Sequence, residues 1–576
     1  MPAAVPPDPT SAGLKPQAAT ERDRGTDTAE DAWTPQRFRA PSENGRILMS
    51  VPLAAACRSA RETHDRLAAE RLDLQGRTLE HLRAWAREGC LRAAADYTSQ
   101  ITGERREVPD GSQLVFAGGH QPALFHPGVW VKNFVLGRMA DRASGTGLNL
   151  IVDNDTVSSR AVKIPGGAPG RPAAAWLPYD VPCPSQPWED ATIADLKLFR
   201  SFGERAVAHM SNWQVRPVVA EMWPVAVRYS EESGSLSDCL TAARQSAERR
   251  FGLENLELPL SRMCRQPAFL WFASHLLAHL PRFREIHNEV LWQYRKVNRI
   301  RSRSHPVPEL AELDGWLEAP FWMWREGQQH RSRVFARQTG NELQLSDGAD
   351  VFATLRLTPE MDACCAVEGL EQLPAQGVRF RTRALTTTLF ARLCLSDLFV
   401  HGIGGAKYDE MTDRIIHRFF GIEPPRFLMA TATLHLPVGK TYPVAQHDAR
   451  ELRRKLRDAR FNPERHVVDG DVTDLVRRKH ALIERQESAR VDDLSFRQRR
   501  LRRTKNRARY LEFREINEQL AAHGEDYRAR LAAQLREVED KLAANRVLQD
   551  REYSYALYPE ETLRSLIESL TQGRAL

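Results

Sequence analysis

Residues 113–156 limit the fold most, because they alternate a strand, a helix and a strand. "QLVFAG" reads as a short buried strand, "GVWVKNFVLGRMADRA" (Gly128 to Ala143) as a helix, and "GLNLIVDNDT" as a second strand. Two strands joined through a helix lie parallel, because the crossover needs a helix's length to return. The twist of the strands makes that crossover right-handed. Both strands then end at one edge of a sheet, so "GGHQPALFHPG" and "DNDT" converge there. Open α/β sheets bind ligands outside that edge. The expected fold class is therefore α/β with a parallel-sheet core.

The loop "GGHQPALFHPG" offers Gly119 for close backbone approach and His120 and Gln121 for hydrogen bonding. His126 precedes a helix whose first amides, near Gly128, suit an anion, and Lys132 sits one turn in. The plainer reading is a structural strand-to-helix connection. Asp153, Asn154 and Asp155 suit an amine, a ribose or a metal at a strand end, although Asp and Asn also favour turns. Further on, "HGIGGAKYDE" places Gly402, Gly404 and Gly405 between a strand and a helix. Amides in such a turn suit a phosphate or carboxylate, with Lys407 and Tyr408 adding contacts. The plainer alternative is a tight turn needing positive φ.

The rest of the chain follows simpler patterns. Leu53 to Ala95 is helical, with Leu67, Leu72, Leu79, Leu82 and Trp85 near one face. Residues 195–310 are mostly helical, and a β-rich insert follows with a hairpin signal at "TGN". "ALTTTLFARLCL" is a helix, "SDLFVHG" a strand, and "RFLMATATLHLP" a further sheet strand. Beyond Asp448, Phe513, Ile516, Leu520, Tyr527, Leu531, Leu535, Val538 and Leu542 form an a/d seam, which predicts a long antiparallel helical hairpin. "RQRRLRRTKNRAR" (Arg497 to Arg509) is strongly basic but holds no aromatic for base stacking, so a solvated helix face outweighs nucleic-acid binding.

Composition narrows the function classes. The chain has 576 residues, enough for two to four domains, and its net charge of +7 is the difference of 82 basic and 75 acidic side chains. No general nucleic-acid coat follows from that. The eight cysteines show no C-x-x-C pair, as expected in a reducing cytoplasm. His275 and His279 have metal-like spacing but no third ligand nearby, so no metal site is expected. No secretory signal and no membrane span are expected, and residues 1–45 have a disordered composition.

Three segments, taken in order, resemble the bacillithiol-synthesis cysteine-adding enzymes, the BshC family. "GHQPALFHPG" is similar to the family's G-Q-Q-x-G-L-F-T-G-P-like loop, and "HPVPELAELDGWLEAPFWMW" to its H-P-x-P and E-x-P-F-W segment. "GIGGAKYDEMTDRIIHRFFGIEPPRFLMATATL" resembles its glycine turn, helix, P-P and final strand. The resemblance implies a Rossmann-like core interrupted by a connecting region of helices and a small β part. It also implies a C-terminal coiled-coil hairpin that pairs two subunits. The spans are 1–45 for the tail, 46–195 and 376–440 for the core halves, 196–375 for the insert and 441–576 for the coiled coil and tail. The implied activity is C–N bond formation, joining an amino acid, cysteine in the family, to a small polar amine through an activated carboxyl donor, with ATP or ADP as a possible nucleotide. His120, Asp153 and Asp155 are the catalytic candidates. Gly119, Gln121, His126, Lys132, Asn154 and Tyr408 would contact substrate, and Gly402, Gly404, Gly405 and Lys407 would hold an anion. The chain departs from the family where His120 replaces a glutamine, where "DNDT" replaces E-D-H-D, and where "GIGGAK" lacks the acid of G-P-G-E. A non-catalytic dimeric scaffold and a basic nucleic-acid-binding coiled coil are the competing readings.

Overall fold

The computed structural model describes Trp33, residues 37–466, 472–488 and 496–571. Most of the N-terminal tail, read above as disordered, lies outside the described residues. The architecture is mixed α/β.

Six strands form the central sheet: β1 (Arg46–Met49), β2 (Val115–His120), β3 (Thr146–Ile151), β4 (Leu256–Pro259), β5 (Leu398–His401) and β6 (Phe427–Thr433). Their order is β1-β6-β5-β2-β3-β4. All neighbours are parallel except β1, which runs antiparallel to β6. Both faces are covered, which explains the near-continuous apolar runs. Val115 and Ala117 of β2 enter one core with Leu148 and Leu258, while Phe116 enters the other with Leu398 and Leu428. Helices α1 (Leu79–Thr102), α2 (Pro127–Ala143) and α5 (Ile403–Ile415) pack on the sheet, with α3 (Leu236–Arg250) against α1 and α4 (Leu280–Val297) against α5.

The chain leaves β2 through α2 to β3 on one side, and leaves β5 through α5 to β6 on the other. Since β2 and β5 are neighbours, the connections diverge there and open a crevice at their carboxyl ends.

Two element boundaries differ from the sequence reading. Leu256–Pro259, within the span read as inserted, is a strand of the central sheet, although four residues followed by a short helix carry little periodicity. Val378–Thr382, within the span read as core, pairs with Trp316–Arg325 and belongs to the six-stranded antiparallel second sheet. The predicted hairpin turn in that sheet lies between Ser332–Thr339 and Glu342–Ser346.

Among the described residues the C-terminal part holds five α-helices, α6 (Gln446–Phe461), α7 (Thr473–Ser488), α8 (Phe496–Ala522), α9 (Glu525–Leu548) and α10 (Glu560–Thr571). The expected seam does not run through a single pair. It breaks at Gly524, so Ile516 and Leu520 of α8 bury against Leu482 of α7, whereas α9 packs on α6. The basic run is helical in backbone, within α8. The last segment returns to the core: the Tyr555 amide donates to the Phe125 carbonyl at 2.9 Å, and its ring stacks on Trp130 at 4.9 Å.

Behind the sheet, Arg244 of α3 donates to both Glu248 (2.7 Å) and Glu257 (2.6 Å), and all three are buried. One cation faces two acids there. Burial, followed by the opposing pull of Arg244 and the push of Glu257, leaves the Glu248 carboxyl raised to about 7. A raised carboxyl binds its proton more tightly folded than unfolded. Stability is then full below about 4.5 and falls as pH rises through about 7. Denaturant melts from pH 5 to 8 are expected to show this decline, and Glu248→Gln is expected to flatten it.

Candidate functional site

The crevice between β2 and β5 collects several of the predicted residues. Lys132, one turn into α2, is buried and donates from Nζ to the Gly119 carbonyl at 3.0 Å. No carboxylate pairs with it among the described residues, and burial pushes its ammonium down to about 8. A Cβ on Gly402 would come 4.0 Å from Lys132 Cδ, so the lysine stem lies beside the start of α5. There, Gly402 is the N-cap and no side chain caps the helix. Gly402 has φ −79°, and Gly404 and Gly405 have no positive φ either, so the turn does not need them for backbone strain. Gly405 is instead required by packing, because a Cβ there would sit 2.5 Å from His401 Nδ1.

His120 ends β2. Its ring meets Phe125 edge-on at 4.9 Å, and Nδ1 lies 3.3 Å from the Gln121 carbonyl. That contact assigns the neutral ring's proton to Nδ1 and leaves Nε2 as an acceptor. Burial first, then the charge of Lys132, holds the imidazole down at about 3, so it is neutral at physiological pH. Its proton affinity is correspondingly low, below that of an ordinary imidazole.

The "DNDT" residues part company. Asp153 accepts from the Ser261 amide at 2.9 Å and from the Ser261 hydroxyl, and burial, with Glu189 adding to it, raises its carboxyl to about 7. Asp155 takes the Gln121 side-chain amide and lies 3.1 Å from Arg331. Asn154 donates to the Thr382 carbonyl at 2.9 Å, and its own carbonyl accepts from Arg331 at 2.8 Å. Asn154 and Asp155 line a cavity of about 240 Å³ with Phe283, His287, Trp322 and Arg331. Sequence reading missed that wall. Trp322 and Arg331 come from the second sheet, and only tertiary folding brings it over β3.

Other candidates lie apart from the crevice. The expected anion site at the start of α2 is closed. The His126 ring accepts the Gly128 amide at 3.1 Å, and the Val129 and Trp130 amides return to the His126 carbonyl. Arg551, from the C-terminal segment, donates to the Ala432 carbonyl at 3.0 Å beside Gly128. A Cβ at Gly128 would sit 2.4 Å from that carbonyl oxygen and 2.5 Å from Arg551. Gly128→Ala is therefore expected to lower the melting temperature by several degrees, an overpacking cost of about 1–3 kcal/mol, checked by calorimetry. Tyr408 is half-buried, edge-on to His305 at 5.9 Å, and Lys407 is exposed.

His401 was passed over because the "HGIGG" segment was read for its glycines. Its Nε2 is 2.8 Å from Asp409, which Arg392 also holds at 2.6 Å. Burial opposes ionisation of Asp409, but the charge of Arg392 and the hydrogen bonds Asp409 accepts hold its carboxyl well below the usual range. No group of three or more His, Cys, Asp or Glu among the described residues is placed to hold a metal ion. No helix among them is long and apolar enough to cross a membrane.

Neither the comparison with protein-family models nor that with curated proteins returns a match for this chain.

Proposed function

We propose that the chain is a carbon–nitrogen ligase of the kind its sequence resembles, the bacillithiol-synthesis cysteine-adding enzymes. In this reading the central sheet, Leu256–Pro259 included, and its helices form a Rossmann-like core, the second antiparallel sheet and the helices leading to it are the connecting insert, and the C-terminal helices are a coiled coil pairing two subunits in the cytoplasm. The observation that supports it most is Lys132, a buried ammonium without a carboxylate partner at the switch in strand order. A buried charge is retained against its desolvation cost where a ligand of opposite charge completes it.

In this reading the site divides its labour between the crevice and the end of β3. The anionic leaving group of an activated carboxyl donor, an acyl phosphate in class, lies against Lys132 and the open amides at the start of α5. The amine is held near Asp155 and Gln121, and its nitrogen attacks the acyl carbon. The C–N bond forms, the C–O bond to phosphate breaks, and the phosphate departs with the bonding pair. Nε2 of His120 accepts the amine proton. An anion against Lys132 cancels part of what depresses His120, so its basicity rises when the substrate is bound. The phosphates of a nucleotide, where one serves, suit the same amides and Lys132.

The full chain incubated with ATP, the common amino acids and small amino sugars, followed by mass spectrometry, tests this reading. A product at the sum of two substrates less one water, lost in Lys132→Met and in His120→Ala, is the expected result. A product formed equally by both variants would remove this site assignment.

A further inference from the structure

We infer that the cavity beside Asp155 is a binding site for a small monoanionic organic acid with an apolar body. At about 240 Å³ it is smaller than the roughly 300–1,000 Å³ of pockets for drug-sized ligands, so its occupant is about the size of phenylacetate. Phe283, Leu310, Pro320 and Leu385 give its inner wall apolar surface. The hydroxyls there are already used: Thr386 donates to the Pro320 carbonyl at 2.7 Å, and Thr387 to the Thr382 hydroxyl at 2.6 Å. A wall with its hydroxyls occupied favours an apolar body over a sugar.

One side of the cavity carries the charge. The Trp322 ring lies under two guanidinium groups, Arg383 at 4.2 Å and Arg331 at 4.9 Å. Arg331 pairs with Asp155 at 3.1 Å. Arg383 and Arg333 share one fully buried acid, Glu318, at 2.8 and 3.2 Å, and that acid also accepts the Ala311 amide at 3.0 Å. Of these groups Arg331 and Arg383 line the cavity, with Asp155 the one carboxylate among its lining residues, while Arg333 is half-exposed outside it. The excess is a single positive charge at the edge of an apolar cavity, and a carboxylate matches the planar fork of an arginine. The inference goes beyond the function proposed above, and the binding does not rest on it.

Calorimetric titration of the full chain with phenylacetate, phenylacetamide and phenethylamine, without nucleotide or acceptor, tests the inference separately from ligation. Phenylacetate is expected to saturate the site with a Kd of about 1 mM or tighter, and the neutral amide to bind at least about tenfold more weakly. Phenethylamine is expected not to bind. Arg331→Gln is expected to bring phenylacetate down to the amide's affinity. Ala384→Leu, which narrows the cavity and leaves every charge in place, is expected to weaken both, and it serves if Arg331→Gln does not fold. Equal affinity for acid and amide, no saturation by phenylacetate up to about 10 mM, or an Ala384→Leu protein that binds as wild type does would overturn it.

Discussion

Asp397→Ala is expected to lower the free energy of unfolding by about 3–5 kcal/mol, the usual cost of stranding a buried charge. Asp397 lies just before β5 with a fully buried side chain. It accepts from Arg83 at 2.5 Å and Arg87 at 2.6 Å, both on α1, from the amide of Val115 at the start of β2 at 2.7 Å, and lies 3.1 Å from His64. One carboxylate therefore ties a helix to two neighbouring strands. Its removal leaves two buried guanidinium groups to their remaining carbonyl acceptors. Burial opposes ionisation here, but His64, Arg83 and Arg87 prevail and hold the carboxyl at about 2. A depressed carboxyl contributes stability that is present above about 3.8 and lost as pH falls through about 2. Urea melts at pH 7 and pH 3 check both statements, and the variant is expected to show a shallower loss in acid.

Lys132→Met is expected to make the protein more stable and inactive together. The ammonium is depressed from 10.5 to about 8 by burial alone. At about 1.36 kcal/mol per pH unit, this corresponds to a cost of about 3 kcal/mol at neutral pH. Met is unbranched and of similar length, so it fills the space without the charge. A group with a lowered basic pKa is bound to fewer protons in the folded state between 8 and 10.5, so wild-type stability is expected to rise across that window. Melts at pH 8 and pH 10 should show this rise in the wild type and not in Lys132→Met. Product formation is expected to fall by about 10²–10³, the cost of removing one donor to a developing anion.

The two strand–helix–strand units were legible because each strand is largely apolar and bounded by turn residues, and each helix between them runs for several turns. β1 and β4 were not, since "RILM" directly follows a polar tail and "LELP" carries a glutamate and runs straight into a short helix. Val378–Thr382 has a strand's composition, but its sheet is chosen by Trp316–Arg325, more than fifty residues away. The C-terminal seam misled because a heptad pattern continues across Gly524, where the backbone does not.

Within the site, Gly402 comes beside Lys132 only because β5 pairs with β2, whereas the shared sheet edge of the "GGHQP" loop and "DNDT" followed from strand polarity. The fate of each acid and histidine did not. Asp153 turns to Ser261 and His126 caps its own helix, because the nearest orphan amides claim these short side chains. His401 depends on Asp409, eight residues later, which a reading of glycines passes over. The Trp322–Arg331–Arg383 wall needs two sheets in place at once.

Titration with inorganic pyrophosphate, followed by calorimetry, tests the central claim most directly: that Lys132 and the start of α5 form an anion site. The account predicts saturable binding by the wild type, weakening as pH rises through about 8 as the ammonium loses its proton, and absent in a folded Lys132→Met protein. Binding that is equal in the two proteins, or no saturable binding at pH 7, would contradict it.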